Sequence, residues 1–202
     1  MLKISQLFGP TIQGEGSAAG RHCLFVRVFD CNLECTFCDT AYTWAVTDEK
    51  AAKTRSGRRY DRDDPAYGLK LMEPVDVLAG LRKLWDIQTR STIIVVSGGE
   101  PMMQQQALFP VLQQLRDWGN EVHIETASSG NRLSKRYKPT VLAALHATDV
   151  PVPVQRVMVM PEGSDGPTNI TTAQQIADAA LSRGYGLSLR SHVLLWSDDP
   201  DR

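Results

Sequence analysis

Strand-like apolar runs alternate with helical stretches along this chain, and that alternation limits the possible fold more than any other feature. Leu24-Phe25-Val26-Arg27-Val28-Phe29 has the make-up of a buried strand, and Thr92-Ile93-Ile94-Val95-Val96 that of a β-branched one. Between them, after Glu73-Pro74, residues Val77, Leu78, Leu81, Leu84 and Trp85 recur at helical spacing. Leu108, Val111, Leu112 and Leu115 mark a second helix with its stop at Gly119-Asn120, and Val122-His123-Ile124-Glu125-Thr126 reads as the next strand. A weak helix at Val141–His146, a strand at Gln155–Met160, a helix at Thr172–Arg183 and a short strand at Gly186–Arg190 follow. The pattern predicts a parallel sheet with helical crossovers. In such sheets ligands bind beyond the carboxyl ends of the strands. Three polar motifs fall at such ends: a cysteine loop, Ser97-Gly98-Gly99-Glu100-Pro101, and Glu125-Thr126.

The 202 residues suit one domain, here taken as 1–202, and 42% apolar with 22% charged residues argues against wholesale disorder. Twenty-two Lys and Arg against 23 Asp and Glu leave no basic surplus, so no nucleic-acid or anionic-membrane partner is expected. No apolar run approaches the roughly 20 residues of a membrane span, and the start lacks a signal-like stretch, so a cytoplasmic location is expected. At about 47–70 the sequence is charged and unpatterned, with Arg58-Arg59-Tyr60-Asp61-Arg62-Asp63-Asp64-Pro65 inside it, and reads as a solvated insertion or flap.

Three of the four cysteines lie together in Cys31-Asn32-Leu33-Glu34-Cys35-Thr36-Phe37-Cys38. In a reducing compartment such clustering points to a metal rather than to disulfides. A cubane normally takes four protein thiolates. Three on one loop would leave one iron open to a chelating ligand. A zinc site and buried free cysteines are the other readings, but structural zinc wants four ligands, and the nearby candidate, His22, precedes the strand. Cys23 has no matching partner and is assigned to packing.

The Cys-x3-Cys-x2-Cys spacing with Phe37 before the last cysteine resembles the radical S-adenosylmethionine superfamily. That resemblance implies a [4Fe–4S] cluster on Cys31, Cys35 and Cys38, with S-adenosylmethionine chelating the open iron. It places Phe37 against the adenine, and Gly98, Gly99 and Glu100 at the methionine amino group. No catalytic residue is implied beyond this cofactor-bound chemistry.

Phe8-Gly9-Pro10-Thr11-Ile12-Gln13-Gly14-Glu15-Gly16, Arg27, Cys38-Asp39-Thr40 and Arg190-Ser191-His192-Val193-Leu194-Leu195-Trp196 narrow the likeness. They resemble the 7-carboxy-7-deazaguanine synthase family, which rearranges 6-carboxy-5,6,7,8-tetrahydropterin and releases ammonia on the route to queuosine and related 7-deazapurines. By that resemblance Gln13, Glu15, Arg27 and His192 bind the substrate, and Thr40 binds Mg²⁺. The chemistry agrees: an amide and a carboxylate can read a pterin edge, a guanidinium suits the substrate carboxylate, and a hydroxyl oxygen suits a hard cation. An electron donor such as flavodoxin or ferredoxin and a homodimer are also expected.

The likeness fails between Gly130 and Gln155, where family members carry a strand ending in Ser-Pro-Lys and this chain has Lys135-Arg136-Tyr137-Lys138-Pro139. The expected fold is therefore an α/β, incomplete and open (β/α) barrel with a mostly parallel sheet, smaller than the usual radical S-adenosylmethionine core. Two rivals stand beside the synthase reading: an activase that installs a glycyl radical on a partner protein, and a zinc-stabilised binding module.

Overall fold

A computed structural model describes residues 1–36, 38–126, 158–161 and 165–197. The chain groups into two compact units, Met1–Thr11 with His22–Ser129 and Ile12–Arg21 with Gly130–Pro200. The expected helix at Val141–His146, most of the strand at Gln155–Met160, and the interval where the Ser-Pro-Lys strand is missing lie outside the described residues.

The first unit is built on a five-stranded sheet. Its strands are β1 (Leu2–Ile12), β2 (His22–Val28), β3 (Lys70–Met72), β4 (Ile93–Gly98) and β5 (Glu121–Ile124), in the order β3-β1-β2-β4-β5. β2 pairs parallel with β4, and β4 parallel with β5, as the alternation predicts. β1 breaks the pattern. It runs antiparallel to β3, and its contacts with β2 also reverse: Phe29 N–H donates to the Lys3 carbonyl, whereas Phe8 stacks on Phe25.

The sheet is thus mixed, which corrects the expectation of a mostly parallel one. The cause lies in the connections. Only residues 13–21 join β1 to β2, and a parallel return needs a crossover of a dozen residues or more. The part that matches a (β/α) barrel is β2-β4-β5 with its helices.

Those helices are α2 (Pro74–Leu84) and α3 (Gln105–Asp117). α2 starts with Pro at its first turn and a reciprocal cap between Glu73 and Asp76. Val77 and Leu81 of α2 and Leu108, Val111 and Leu115 of α3 pack with Leu2, Ile4, Leu24, Val26, Val28, Ile94 and Val96 in one core. Because side chains alternate along a strand, the even-numbered residues of β2 and β4 face these helices. Cys23, Phe25 and Arg27 point to the other face. Cys23 is fully buried there, and burial pushes its thiol up to about 12.

The charged segment is more ordered than its composition suggests. Thr47 caps α1 (Asp48–Ala52), its side chain accepting from the Lys50 N–H at 3.3 Å. Beyond it, Arg55 N–H donates to the Thr36 carbonyl at 2.8 Å and Ser56 N–H to the Cys38 carbonyl at 3.1 Å. An exposed Lys50–Glu34 pair at 2.5 Å adds little to these backbone bonds.

In the second unit β6 (Met158–Val159) pairs parallel with β7 (Gly186–Leu187). α4 (Gly166–Ser182) is capped by Asp165, which accepts from the Thr168 N–H at 2.8 Å. It begins earlier than the apolar pattern indicates, since its first turn is Gly-Pro-Thr-Asn. α5 (Ser191–Trp196) follows β7. No helix among the described residues is long and apolar enough to cross a membrane.

Ile94 is fully buried on the interior strand β4, whereas Val75 is 68% exposed. Ile94→Ala should cost about 2–5 kcal/mol in urea unfolding, and Val75→Ala less than about 0.5 kcal/mol.

Candidate functional site

The cysteine loop leaves the carboxyl end of β2, and the Gly98-Gly99-Glu100 turn leaves that of β4, its parallel neighbour. Backbone bonds join the two exits: Gly99 N–H donates to the Val28 carbonyl at 3.0 Å, and Glu100 N–H to the Asp30 carbonyl at 2.8 Å. Both glycines are required sterically. Gly98 has φ +112°, and a Cβ on it would lie 2.5 Å from the Arg27 Cγ. A Cβ on Gly99 would come within 2.0 Å of the Asp30 carbonyl oxygen.

Glu100 is only 1% exposed. Its Oε1 accepts from the Met102 N–H at 2.9 Å and from the Thr126 hydroxyl at 2.6 Å. Thr126 lies just past β5, so the ends of β4 and β5 meet at this carboxylate, as the motif placement predicts.

Cys31, Cys35 and Cys38 are half-buried and unbridged. Burial pushes the Cys31 thiol up to about 11, and the nearby Cys38, Glu100 and Cys35 add to the rise. Burial, and then the charge of Cys38, raise Cys35 as well. Leu33 N–H donates to the Cys31 sulfur at 3.4 Å, and the Trp44 indole N–H to the Cys38 sulfur at 3.3 Å. Thr40 sits beside them, its hydroxyl donating to the Gly98 carbonyl at 3.2 Å and lying 3.8 Å from the Cys38 sulfur. Phe37 lies outside the described residues.

Three thiols on one loop, with N–H groups aimed at two of the sulfurs, are a donor set that fits an iron–sulfur cluster. Among the described residues no three His, Cys, Asp or Glu side chains stand close enough to hold a metal ion ready-made. The fourth-ligand candidate for zinc is removed. His22 opens β2 and bonds Thr92 at 2.6 Å, and the length of the strand puts it roughly 20 Å from the loop at the other end.

Arg27 is buried on the face of the sheet opposite α2 and α3. Its Nη1 donates to Gln6 and, at 2.6 Å, to the Tyr42 hydroxyl, and its guanidinium lies 4.6 Å from the Phe8 ring centroid. The same unit holds Thr40, Gly98, Gly99 and Glu100.

Gln13, Glu15 and His192 belong to the second unit. Gln13 is buried, and its Oε1 accepts from the Glu15 N–H at 3.2 Å. The Gly14 carbonyl accepts from the Ser191 N–H at 2.8 Å and from the Ser191 hydroxyl at 3.2 Å. A Cβ on Gly14 would fall 1.8 Å from His192 Nδ1. Glu15 accepts from Arg190 Nε at 2.7 Å, and His192 Nε2 lies 3.4 Å from Arg190 Nη2 and 3.9 Å from Glu15. Two motifs from opposite ends of the chain thus meet. Tyr42 and Trp44 escape sequence reasoning, and Arg190 enters it only as part of a matched motif without a role of its own, because a partner distant in sequence gives each its place. For Trp44 the one available signal is that it lies six positions after Cys38.

The model of the family described as a 4Fe-4S single cluster domain matches residues 12–164. The chain is 30% identical over 126 residues to the 7-carboxy-7-deazaguanine synthase of Hyperthermus butylicus, covering 62% of this chain and 43% of that protein. It is 30% identical over 131 residues to that of Koribacter versatilis, covering 65% and 45%. In both, the match spans under half of the relative's own length. With the synthase of Halobacterium salinarum it is 28% identical over 239 aligned positions, covering 99% of this chain and 92% of the relative. Among solved structures the fold is similar to the crystal structure of QueE from Escherichia coli, with a TM-score of 0.59, 20% identity, and coverage of 95% and 94%.

Gly99→Ala should separate the exits of β2 and β4, because backbone, not a flexible side chain, occupies the space its methyl needs. A loss of several kcal/mol in urea unfolding is expected, or loss of soluble protein altogether.

Proposed function

The chain belongs to the family of 4Fe-4S single cluster domains, and from that premise we propose that it converts 6-carboxy-5,6,7,8-tetrahydropterin to 7-carboxy-7-deazaguanine with release of ammonia. The observation that carries this reading is the close joining of the three-cysteine loop to the Gly98-Gly99-Glu100 turn. A cluster and the ligand of its open iron need exactly one such edge, where thiolates and a carboxylate stand side by side.

Cys31, Cys35 and Cys38 would hold the cluster. Gly98, Gly99 and Glu100 would receive the amino end of S-adenosylmethionine, with Phe37 at its adenine. Thr40 would bind Mg²⁺ through a hydroxyl oxygen whose proton is already committed to the Gly98 carbonyl. When bound, these groups supply a one-electron reduction, a hydrogen-abstracting radical and charge compensation for the product.

The chain's own residues bind and orient. Glu100 is held by Met102 and Thr126, so its oxygens are fixed before a ligand arrives and little ordering remains to be done. Arg27 is held by Gln6, Tyr42 and Phe8, which suits it to the substrate carboxylate. Glu15 and His192 carry polar atoms for the pterin edge, and Arg190 holds the Glu15 carboxylate in place. The whole of 1–202 works as one functional domain in this reading, fed by a one-electron donor such as flavodoxin or ferredoxin and paired as a homodimer.

Cys31→Ala, Cys35→Ala and Cys38→Ala should each lose the cluster after anaerobic reconstitution, while Cys23→Ala keeps it. Iron and sulfide analysis decides. A Cys23→Ala protein without iron beside a Cys31→Ala protein with its full complement would refute the ligand assignment.

Arg27→Ala should keep the cluster and still cleave S-adenosylmethionine slowly with a strong reductant. Its kcat/KM for the carboxytetrahydropterin should fall about a hundredfold, the loss of one charge-assisted bidentate contact. Product mass measured in anaerobic turnover checks this, and a wild-type rate would reject the pterin assignment.

A further inference from the structure

Two of the three cluster-loop sulfurs receive an N–H donor in different ways. The donor to Cys31 is the backbone of Leu33, which any residue but proline would supply at that position. The donor to Cys38 is the Trp44 indole, 3.3 Å away, a group that nothing in the backbone can replace.

The surroundings of Trp44 fix this contact. The indole packs with Cys38 on a satellite core of Ala41, Ala45 and Ala51. The three alanines are at most 2% exposed, and their small side chains leave room for a flat ring. Trp44 N–H and Ala45 N–H both donate to the Ala41 carbonyl, at 2.9 and 2.7 Å. On one side Asp30 N–H ties this turn to the exit of β2 through the Thr43 carbonyl at 3.0 Å, and on the other Tyr60 N–H bonds the Ala45 carbonyl at 2.8 Å. The ring is therefore anchored to the same scaffold that carries the cysteine loop.

We infer that Trp44 is a positioning residue for the cluster, its indole N–H orienting the Cys38 sulfur and raising the reduction potential of the iron–sulfur group held there. The inference rests on the cluster reading above. Reduction adds negative charge that is shared with the ligand sulfurs, and a fixed N–H dipole stabilises the reduced form more than the oxidised one. Removing the donor should make the cluster harder to reduce.

The test compares wild type with Trp44→Phe, which keeps an aromatic ring and loses the N–H. Both are reconstituted anaerobically, assayed for iron and sulfide, and titrated against ambient potential by electron paramagnetic resonance of the reduced cluster. Trp44→Phe should bind iron as wild type does, and its reduced-to-oxidised ratio at a given potential should fall about tenfold, a shift of about 59 mV to lower potential. If Trp44→Phe does not assemble a cluster, β-(3-benzothienyl)alanine at position 44, which replaces only the N–H by sulfur, should give the same shift. An unchanged or raised potential in whichever of these proteins holds a cluster overturns the inference. A wild-type chain that takes up no iron would instead overturn the cluster reading on which it stands.

Discussion

The exits of two parallel strands are sewn together at Val28–Asp30 and Gly98–Glu100, and the site in the first unit depends on that seam. Two backbone hydrogen bonds cross it, and the Gly99 backbone approaches Asp30 so closely that any side chain would collide with its carbonyl oxygen. Parallel pairing of β2 and β4 supplies the register: Arg27 lies opposite Ser97, and Val28 opposite Gly98. From there the chain must leave in two directions, one exit carrying the cysteines and the other a buried carboxylate. Neither motif could be placed near the other by local preference alone. Asp30 itself has φ +70°, a conformation that a short polar residue tolerates better than a branched one. This lets the chain turn off the strand directly into the loop.

The parallel half of the fold was legible because β2, β4, α2 and α3 bury whole faces, and buried faces leave periodic apolar patterns. β1 was not. Its burial does not alternate along its length, since its first residues pack in the core while later ones meet polar partners such as Gln6 with Arg27. A strand of that kind has no period to read. Its antiparallel pairing then turned an expected parallel sheet into a mixed one. The charged stretch at 47–70 was opaque for a related reason. Its order comes from backbone bonds to Thr36, Cys38 and Ala45, which are blind to side-chain type.

The candidate site was legible where chemistry demands rare residues and illegible where it relies on common ones. Three closely spaced cysteines have few alternative explanations, whereas a Gly-Gly-Glu-Pro turn is weak alone and gains its meaning from its place after the cysteine loop. Tyr42 and Trp44 look like ordinary packing residues until their partners are seen, and Arg190 gains a role only through Glu15. Gln13-Gly14-Glu15-Gly16 shows the same limit from the other side. As sequence it is a turn, yet Gly14 is glycine because His192 occupies the place of its side chain, and its carbonyl anchors the start of α5. The spacing between the two segments carries no trace of that contact.

Arg27 shows what the site asks of the fold energetically. Burying a guanidinium costs several kcal/mol unless its donors are satisfied. Here it donates to a neutral amide and a neutral phenol, and it lies against the electron-rich faces of Phe8 and Tyr42. Cation–π contacts of this kind contribute about 0.5–2 kcal/mol each when desolvated. Together these hydrogen bonds and ring faces fix the orientation of the guanidinium from two sides, so the burial of Arg27 is matched by contacts drawn from β1 and the turn after the cysteine loop.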